Sequence, residues 1–161
     1  MKYLYFISII FSLTSCFKNE PKRETLMAAG SWKIVKTVIQ ENDESGNKIS
    51  ENTLETVGFL MLSHVDDFLY EGTYSYSLDA DKLINSTIYD YFKKCNQWGI
   101  TNGAKVLNLA IKDPSTGYSE LWSGLTINKL TRKKFEIQSI TLNSGNETIK
   151  KIEKWYMISN K

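Results

Sequence analysis

The stretch FLYEGTYSYSL, residues 68–78, decides the fold, because its side chains alternate in character with a period of two. Successive side chains of a β-strand point to opposite faces, so this alternation predicts a strand with one aromatic face. A glycine inside a strand marks a bulge, a bend or a close backbone approach, and Gly72 interrupts the aromatic row. The apolar side chains that share one parity are Phe68, Tyr70, Tyr74, Tyr76 and Leu78.

Polar turns separate this stretch from further strand-like segments on both sides. No sequence repeat and no long internal helix interrupts the series, which is typical of an antiparallel sandwich or an up-and-down barrel. A closed barrel covers the strand edges that a sandwich leaves exposed. We therefore predict an all-β, antiparallel, eight-stranded barrel. The predicted strands are 31–40, 56–63, 68–78, 86–94, 104–112, 119–128, 133–142 and 147–159.

The fourth of these strands has a competing interpretation. Residues 86–94 are rich in β-branched and aromatic side chains, including Ile88, Tyr89 and Tyr91, and this composition favours a strand. The apolar residues of 81–95 also fit helical spacing, and a helix there would remove one strand from the barrel. Residues 96–103, with Gly99, Asn102 and Gly103, are predicted to form a loop.

The N-terminus resembles a bacterial lipoprotein signal peptide. Lys2 precedes an apolar run that ends in Leu13-Thr14-Ser15-Cys16, an aliphatic residue and two small residues before a cysteine. The resemblance implies cleavage after residue 15 and acylation of Cys16, with palmitate or a similar chain as the membrane anchor. The alternatives are an ordinary secretory signal or a spanning helix, but the run reaches the charged Lys18 before the roughly 20 apolar residues that a span needs.

This resemblance divides the chain and places it in the cell envelope. Residues 1–15 would be the signal peptide, 16–23 a tether and 24–161 the barrel domain, with a short helical turn at 24–29. The membrane would then be a partner through the lipid, at the outer membrane, facing the periplasm or the cell surface.

Gly30-Ser31-Trp32, at the head of the first predicted strand, resembles the Gly-X-Trp motif of the lipocalins and of small lipocalin-like envelope lipoproteins. The resemblance implies an eight-stranded barrel that Trp32 closes at one end and that admits a small apolar ligand at the other. Gly30 would permit the sharp entry of the chain. Lipocalins place a basic residue over the tryptophan, and Arg132 and Lys154 are the candidates here. The second lipocalin motif, centred on Thr-Asp-Tyr, is absent.

Composition argues against several classes of function. The chain has 20 basic and 18 acidic residues, and this near balance argues against nucleic acid or an acidic membrane surface as the main partner. Its one histidine, His64, excludes a multi-histidine metal site, and a catalytic triad would have to use that residue. We expect no enzyme activity, no cofactor and no metal. Cys95 would have no disulfide partner once Cys16 is acylated, and we expect a monomer.

The tyrosines lead to two hypotheses about function. Tyr70, Tyr74 and Tyr76, with Tyr89 and Tyr91, would line a cavity for a small hydrophobic or amphipathic ligand. Alternatively they form the core of a filled barrel, which would act as a non-catalytic interaction module on a protein or glycan partner. A packed interior with apolar residues outside would favour the second hypothesis.

Overall fold

Eight antiparallel strands follow one another in chain order and close into a barrel. A computed structural model describes residues 30–64, 72–101, 105–116, 119–145 and 147–160. The prediction of an all-β, eight-stranded, up-and-down barrel is confirmed. Its elements are β1 Ser31–Asn42, β2 Lys48–His64, β3 Gly72–Leu78, α1 Thr87–Lys94, β4 Gln97–Thr101, β5 Val106–Lys112, β6 Ser119–Leu130, β7 Lys134–Leu142 and β8 Ile149–Ser159.

Closure depends on β1, which pairs with β2 on one side and with β8 on the other. Trp32 and Ile34 are buried in the interior, and Lys33 between them faces outward, as the period of two requires. The other strands contribute inward rows in the same way, among them Leu107 and Leu109 on β5. The strand alternation therefore builds a single apolar core inside the barrel.

One glycine in β2 allows the barrel wall to bend. Gly58 has φ +135°, and a Cβ on it would collide with the carbonyl oxygen of Ser77 on β3. Thr56, two residues earlier, has φ 46°, and the β1–β2 register shifts between Ile34 and Lys36. This irregularity is a bulge-like bend of the type that curves sheets into barrels.

Gly72 is the second glycine with a steric role, and of the bulge, bend or close approach that the sequence left open, the structure shows a close approach. A Cβ at Gly72 would overlap the indole of Trp98 and the carbonyl oxygen of Ser63. The Trp98 indole N–H donates to the carbonyls of Thr73 at 2.9 Å and Ser63 at 3.2 Å. The tryptophan therefore joins β2, β3 and β4 where β3 and β4 share only two register pairs.

The prediction of a strand at 86–94 is wrong, and the competing helix is correct. Ser86 caps α1 by accepting from the amide of Tyr89, Asp90 lies in the first turn, and two lysines lie in the last. These features suit the helix dipole, and they outweigh the strand propensity of the aromatic residues. The barrel keeps eight strands because β4 (Gln97–Thr101) lies inside the predicted 96–103 loop.

Other boundaries differ from the sequence prediction or lie beyond the described residues. β2 begins at Lys48 and not at 56, because its polar first half pairs with β1 along the outer end of the barrel. The predicted signal peptide 1–15, tether 16–23 and helical turn 24–29 lie outside the described residues, as do Phe68 and Tyr70. Within the described part of the chain, no helix is long and apolar enough to cross a membrane.

Candidate functional site

The most unusual group in the barrel is a buried carboxylate. Glu153 faces inward from β8 and is only 1% exposed. One carboxylate oxygen, Oε2, accepts from the backbone amides of Thr87 at 2.7 Å and Ile88 at 3.3 Å. The other, Oε1, accepts from the Ser86 hydroxyl and from the Trp155 indole N–H, the latter at 2.8 Å.

These contacts explain how a charge can be buried without a cation. The first amides of a helix have no partner within the helix, and the helix dipole places partial positive charge there. Glu153 of β8 supplies the missing acceptor for the first amides of α1. Ser86 accepts from the Tyr89 amide at 2.9 Å. Since four donors fill its oxygens, the carboxylate fixes α1 in place and is not free to act on a substrate.

Contacts between aromatic rings also attach α1 to the strands β3 and β8. Phe92 of α1 stacks on Trp155 with ring centroids 5.7 Å apart, and Tyr74 meets the edge of Phe92 at 5.0 Å. The Tyr74 hydroxyl donates to the carbonyl of Phe92 at 3.0 Å. Phe92 and Trp155 are both fully buried. α1 therefore inserts its apolar face into the barrel as part of the core.

Three of the five predicted tyrosines lie together at the edge of this cluster. Tyr76 stacks on Tyr74 at 6.4 Å and meets Tyr89 edge to face at 6.1 Å. Tyr89 is buried, while Tyr76 remains 38% exposed and forms the outer limit of the group. Tyr91 is only partly buried against the core. Tyr70, the fifth, lies outside the described residues.

Burial shifts the pKa of two groups near Phe92. Loss of solvent raises the pKa of the Tyr74 hydroxyl, with smaller contributions from Cys95 and Tyr76. Burial also raises the pKa of the Cys95 thiol to about 11, partly offset by Lys94. Both groups are therefore protonated at neutral pH. Cys95 is a free, buried cysteine and not an activated thiolate.

Thr37 carries a hydroxyl that its surroundings do not satisfy. The residue is fully buried on β1, opposite Trp155 in the register, and its Oγ1 has no hydrogen-bond partner among the described residues. A buried hydroxyl without a partner costs about 1 to 3 kcal/mol. Thr37 Oγ1 is thus the one buried side-chain nitrogen or oxygen without a hydrogen-bond partner among the described residues.

Trp32, the residue predicted to close one end of the barrel, is buried near the start of β1. Trp32 is 2% exposed and packs against Phe135 with ring centroids 5.4 Å apart. Gly30 immediately precedes β1 at this end. Arg132 lies exposed in the turn after β6, at the same end, whereas Lys154 lies between the inward Glu153 and Trp155 and therefore faces outward. Lys154 is thus unsuited to cover Trp32 from inside.

Sequence reasoning missed Glu153 and Ser86 as partners. The signal available was a single acidic residue at an inward position of an otherwise apolar row, together with a serine before a stretch of helical spacing. No group of three or more histidine, cysteine or acidic side chains that could hold a metal occurs among the described residues. The side chain of His64, at the end of β2, is outside the description.

The fold defines the class of protein, a closed eight-stranded antiparallel barrel with one short helix, and this architecture is consistent with a lipocalin-like barrel. Comparison with known proteins finds no matching family model, no matching curated protein and no matching solved structure.

Proposed function

We propose that this protein is a lipid-anchored lipoprotein of the cell envelope whose barrel has no catalytic role and acts through its outer surface on another envelope macromolecule. The observation that carries the proposal is the filled interior, in which α1 inserts Phe92 against Trp155 and is fixed by Glu153. A barrel that fills its own interior with side chains retains its outer surface and loops for recognition.

The anchoring part of the proposal is supported by the sequence around Cys16. An acyl chain contributes about 0.8 kcal/mol for each buried methylene, so several chains on one residue give a stable anchor where a single chain does not. The near balance of 20 basic and 18 acidic residues in the whole chain suits a protein that depends on lipid and not on charge alone.

The outer surface offers an apolar region for a partner. Ile140 and Leu142 of β7 are 48% and 52% exposed, and Ile140 lies opposite Ile152 of β8 in the register. Exposed aliphatic side chains that cluster on one face mark interaction sites more often than isolated ones do. This region lies at the end of the barrel away from Trp32, because β7 runs from Lys134 near that end to Leu142.

Two measurements test the proposal in the native cells. Labelling with a radioactive fatty acid should mark the protein and should fail for Cys16→Ser. A photo-crosslinking residue at Leu142 should give a discrete adduct with an envelope component, whereas the same residue at exposed Ser75 of β3, on the opposite side of the barrel from β7, should not. Absence of label would contradict the anchor, and equal crosslinking at both positions would contradict recognition through the apolar region.

The second candidate function is binding of a small amphipathic ligand inside the barrel. The unsatisfied hydroxyl of Thr37 favours it, together with the exposed ring of Tyr76 at the edge of the aromatic cluster. Entry would require α1 to move, since its side chains occupy the core. A fluorescent fatty acid that binds Glu153→Gln, in which α1 is loosened, more tightly than the unaltered protein would support this candidate.

A further inference from the structure

A row of alternating basic and apolar side chains runs across the outside of four neighbouring strands near the Trp32 end. Lys134 of β7 pairs with Ile158 of β8, Ile158 with Lys33 of β1, and Lys33 with Phe59 of β2. Each flanks an inward, buried residue, so all four face outward. Met61, two residues beyond Phe59, faces outward as well. We call these five residues the anchor-side row.

The apolar members of the anchor-side row are unusually exposed for side chains of their size. Phe59, Met61 and Ile158 are 38%, 45% and 40% exposed. They lie on β2 and β8, on either side of Lys33 of β1, so apolar and basic side chains share one surface. This surface is a candidate for contact with an apolar or amphipathic partner.

The charge of the same region is not neutralised within the described residues. The ion pairs among the described residues do not involve the anchor-side row. They are Lys48–Glu51, Lys82–Asp79 and Lys93–Asp90. Lys33 and Lys134 make no ion pair with any described residue, and Arg132 and Lys133 extend the basic surface into the β6–β7 turn. Glu136 is the nearest described acid on β7. Asp66, Asp67 and Glu71, which follow β2, lie outside the described residues.

The position of the chain entry indicates which partner this surface meets. β1 begins at Ser31, two residues before Lys33. The chain from Cys16 therefore reaches the barrel beside the anchor-side row. The intervening residues, 16–29, span at most about 50 Å even when extended. A lipid on Cys16 would therefore hold this end of the barrel near the bilayer.

We infer that the anchor-side row is a bilayer-facing surface, in which lysines contact anionic phospholipid headgroups and Phe59, Met61 and Ile158 insert at the interface. The inference rests on the proposed anchoring, which supplies the proximity. Basic residues beside exposed apolar ones suit this partner, because anionic lipids attract the cations and the interface accepts the apolar side chains.

Quenching by lipid measures the orientation of the barrel. The full-length protein is expressed in its own cells and purified in detergent. It is then reconstituted in vesicles of phosphatidylcholine that contain about 30% phosphatidylglycerol and a lipid with a spin label on its headgroup. A fluorophore on Met61→Cys should be quenched, whereas one on Ile84→Cys, which is 78% exposed at the opposite end, should not. The parent protein gives the background from Cys16 and Cys95.

Charge reversal separates the contribution of the anchor-side row to membrane contact from that of the lipid anchor. Lys33→Glu with Lys134→Glu should weaken the quenching of the Met61 label at least tenfold, whereas the matched pair Lys112→Glu with Lys150→Glu at the other end should leave it unchanged. Equal quenching at Met61 and Ile84, or a dimer in solution that shields the Met61 label, would overturn the inference.

The same protein also distinguishes the two proposals. Mass spectrometry of the N-terminal peptide reports acylation independently of the quenching. An acylated protein without selective quenching at Met61 overturns the anchor-side row alone. An unacylated protein that still shows selective, salt-sensitive quenching overturns the anchor and retains the row as a surface for anionic lipid.

Discussion

At the scale of single residues, the buried side chain of Glu153 links strand β8 to the start of helix α1. Four hydrogen bonds end on its carboxylate, three from the start of α1 and one from Trp155 on its own strand. A buried charge is tolerated only where donors replace the lost water, and a helix start provides them. The cluster is therefore sensitive to small chemical changes at this position.

Replacing Glu153 with Gln tests this dependence. The amide group keeps the size and one acceptor oxygen but replaces the other oxygen with an NH2 group that must face former donors, so we expect a loss of about 2 to 4 kcal/mol in the free energy of unfolding. Urea denaturation followed by circular dichroism measures it. Glu51→Gln is the matched control, because Glu51 is exposed in a surface ion pair and should change stability by less than about 0.5 kcal/mol. Equal effects would refute the assigned role.

Gly72 gives a steric prediction at the same scale. Gly72→Ala places a methyl group against the Trp98 indole and the backbone of Ser63, so we expect a loss of about 3 kcal/mol or more. Gly124→Ala is the control, since its new methyl group would meet side-chain atoms and no backbone atom, Val106 Cγ1 at 3.1 Å and Asn108 Oδ1 at 3.4 Å. Thermal unfolding of the two variants should differ clearly, and similar midpoints would argue against the close approach.

Cys95 predicts how stability depends on pH. The folded-state pKa of its thiol is raised to about 11 from the ordinary 9.0, so the folded protein holds this proton after the unfolded chain has lost it. Its contribution is fully present below pH 9 and is lost as the pH rises toward 11. The unaltered protein should therefore lose more stability between pH 9 and 11 than Cys95→Ala. Parallel pH profiles from urea unfolding would show that the thiol is not buried as described.

At the scale of elements, α1 (Thr87–Lys94) shows why local sequence misled the prediction. An isolated helix of this length is unstable in water, and Ile88, Tyr89 and Phe92 suit strands as well as helices. The decision comes from distant partners: Glu153 caps the first turn and Trp155 receives Phe92. The strands could be predicted because their alternation is local, whereas the helix depends on contacts about 65 residues away in sequence. Short β4 was missed for a different reason, because Gly99, Asn102 and Gly103 indicate a loop although Gln97–Thr101 pairs with β5.

A double-mutant cycle tests the attachment of α1. Ser86→Ala removes the helix cap and one donor to Glu153, so we expect it to cost about 1 to 2 kcal/mol alone. Combined with Glu153→Gln, the loss should be smaller than the sum by about 1 kcal/mol, because both changes break one network. Strict additivity in the unfolding free energies would mean that Ser86 and Glu153 act independently.

At the scale of the whole molecule, the barrel has two different ends. Trp32, Arg132 and the anchor-side row lie where the chain enters, and the start of α1 lies toward the other end, where Thr87 donates to Glu153. The sequence predicted the barrel, Trp32 as a buried residue at one end and the grouping of Tyr74 with Tyr76, since these follow from strand parity. It did not predict that a helix occupies the space in which a ligand was envisaged, because the position of α1 depends on Glu153.

The proposed account makes the barrel a self-filled domain fastened by its N-terminus. Its central claim is most directly tested by the native mass of the intact protein purified from its own membranes. We expect a chain beginning at Cys16, heavier than the 16–161 polypeptide by its acyl chains, with no other molecule retained. A mass equal to the unmodified polypeptide, or one that includes a stoichiometric small ligand released on denaturation, would contradict this account.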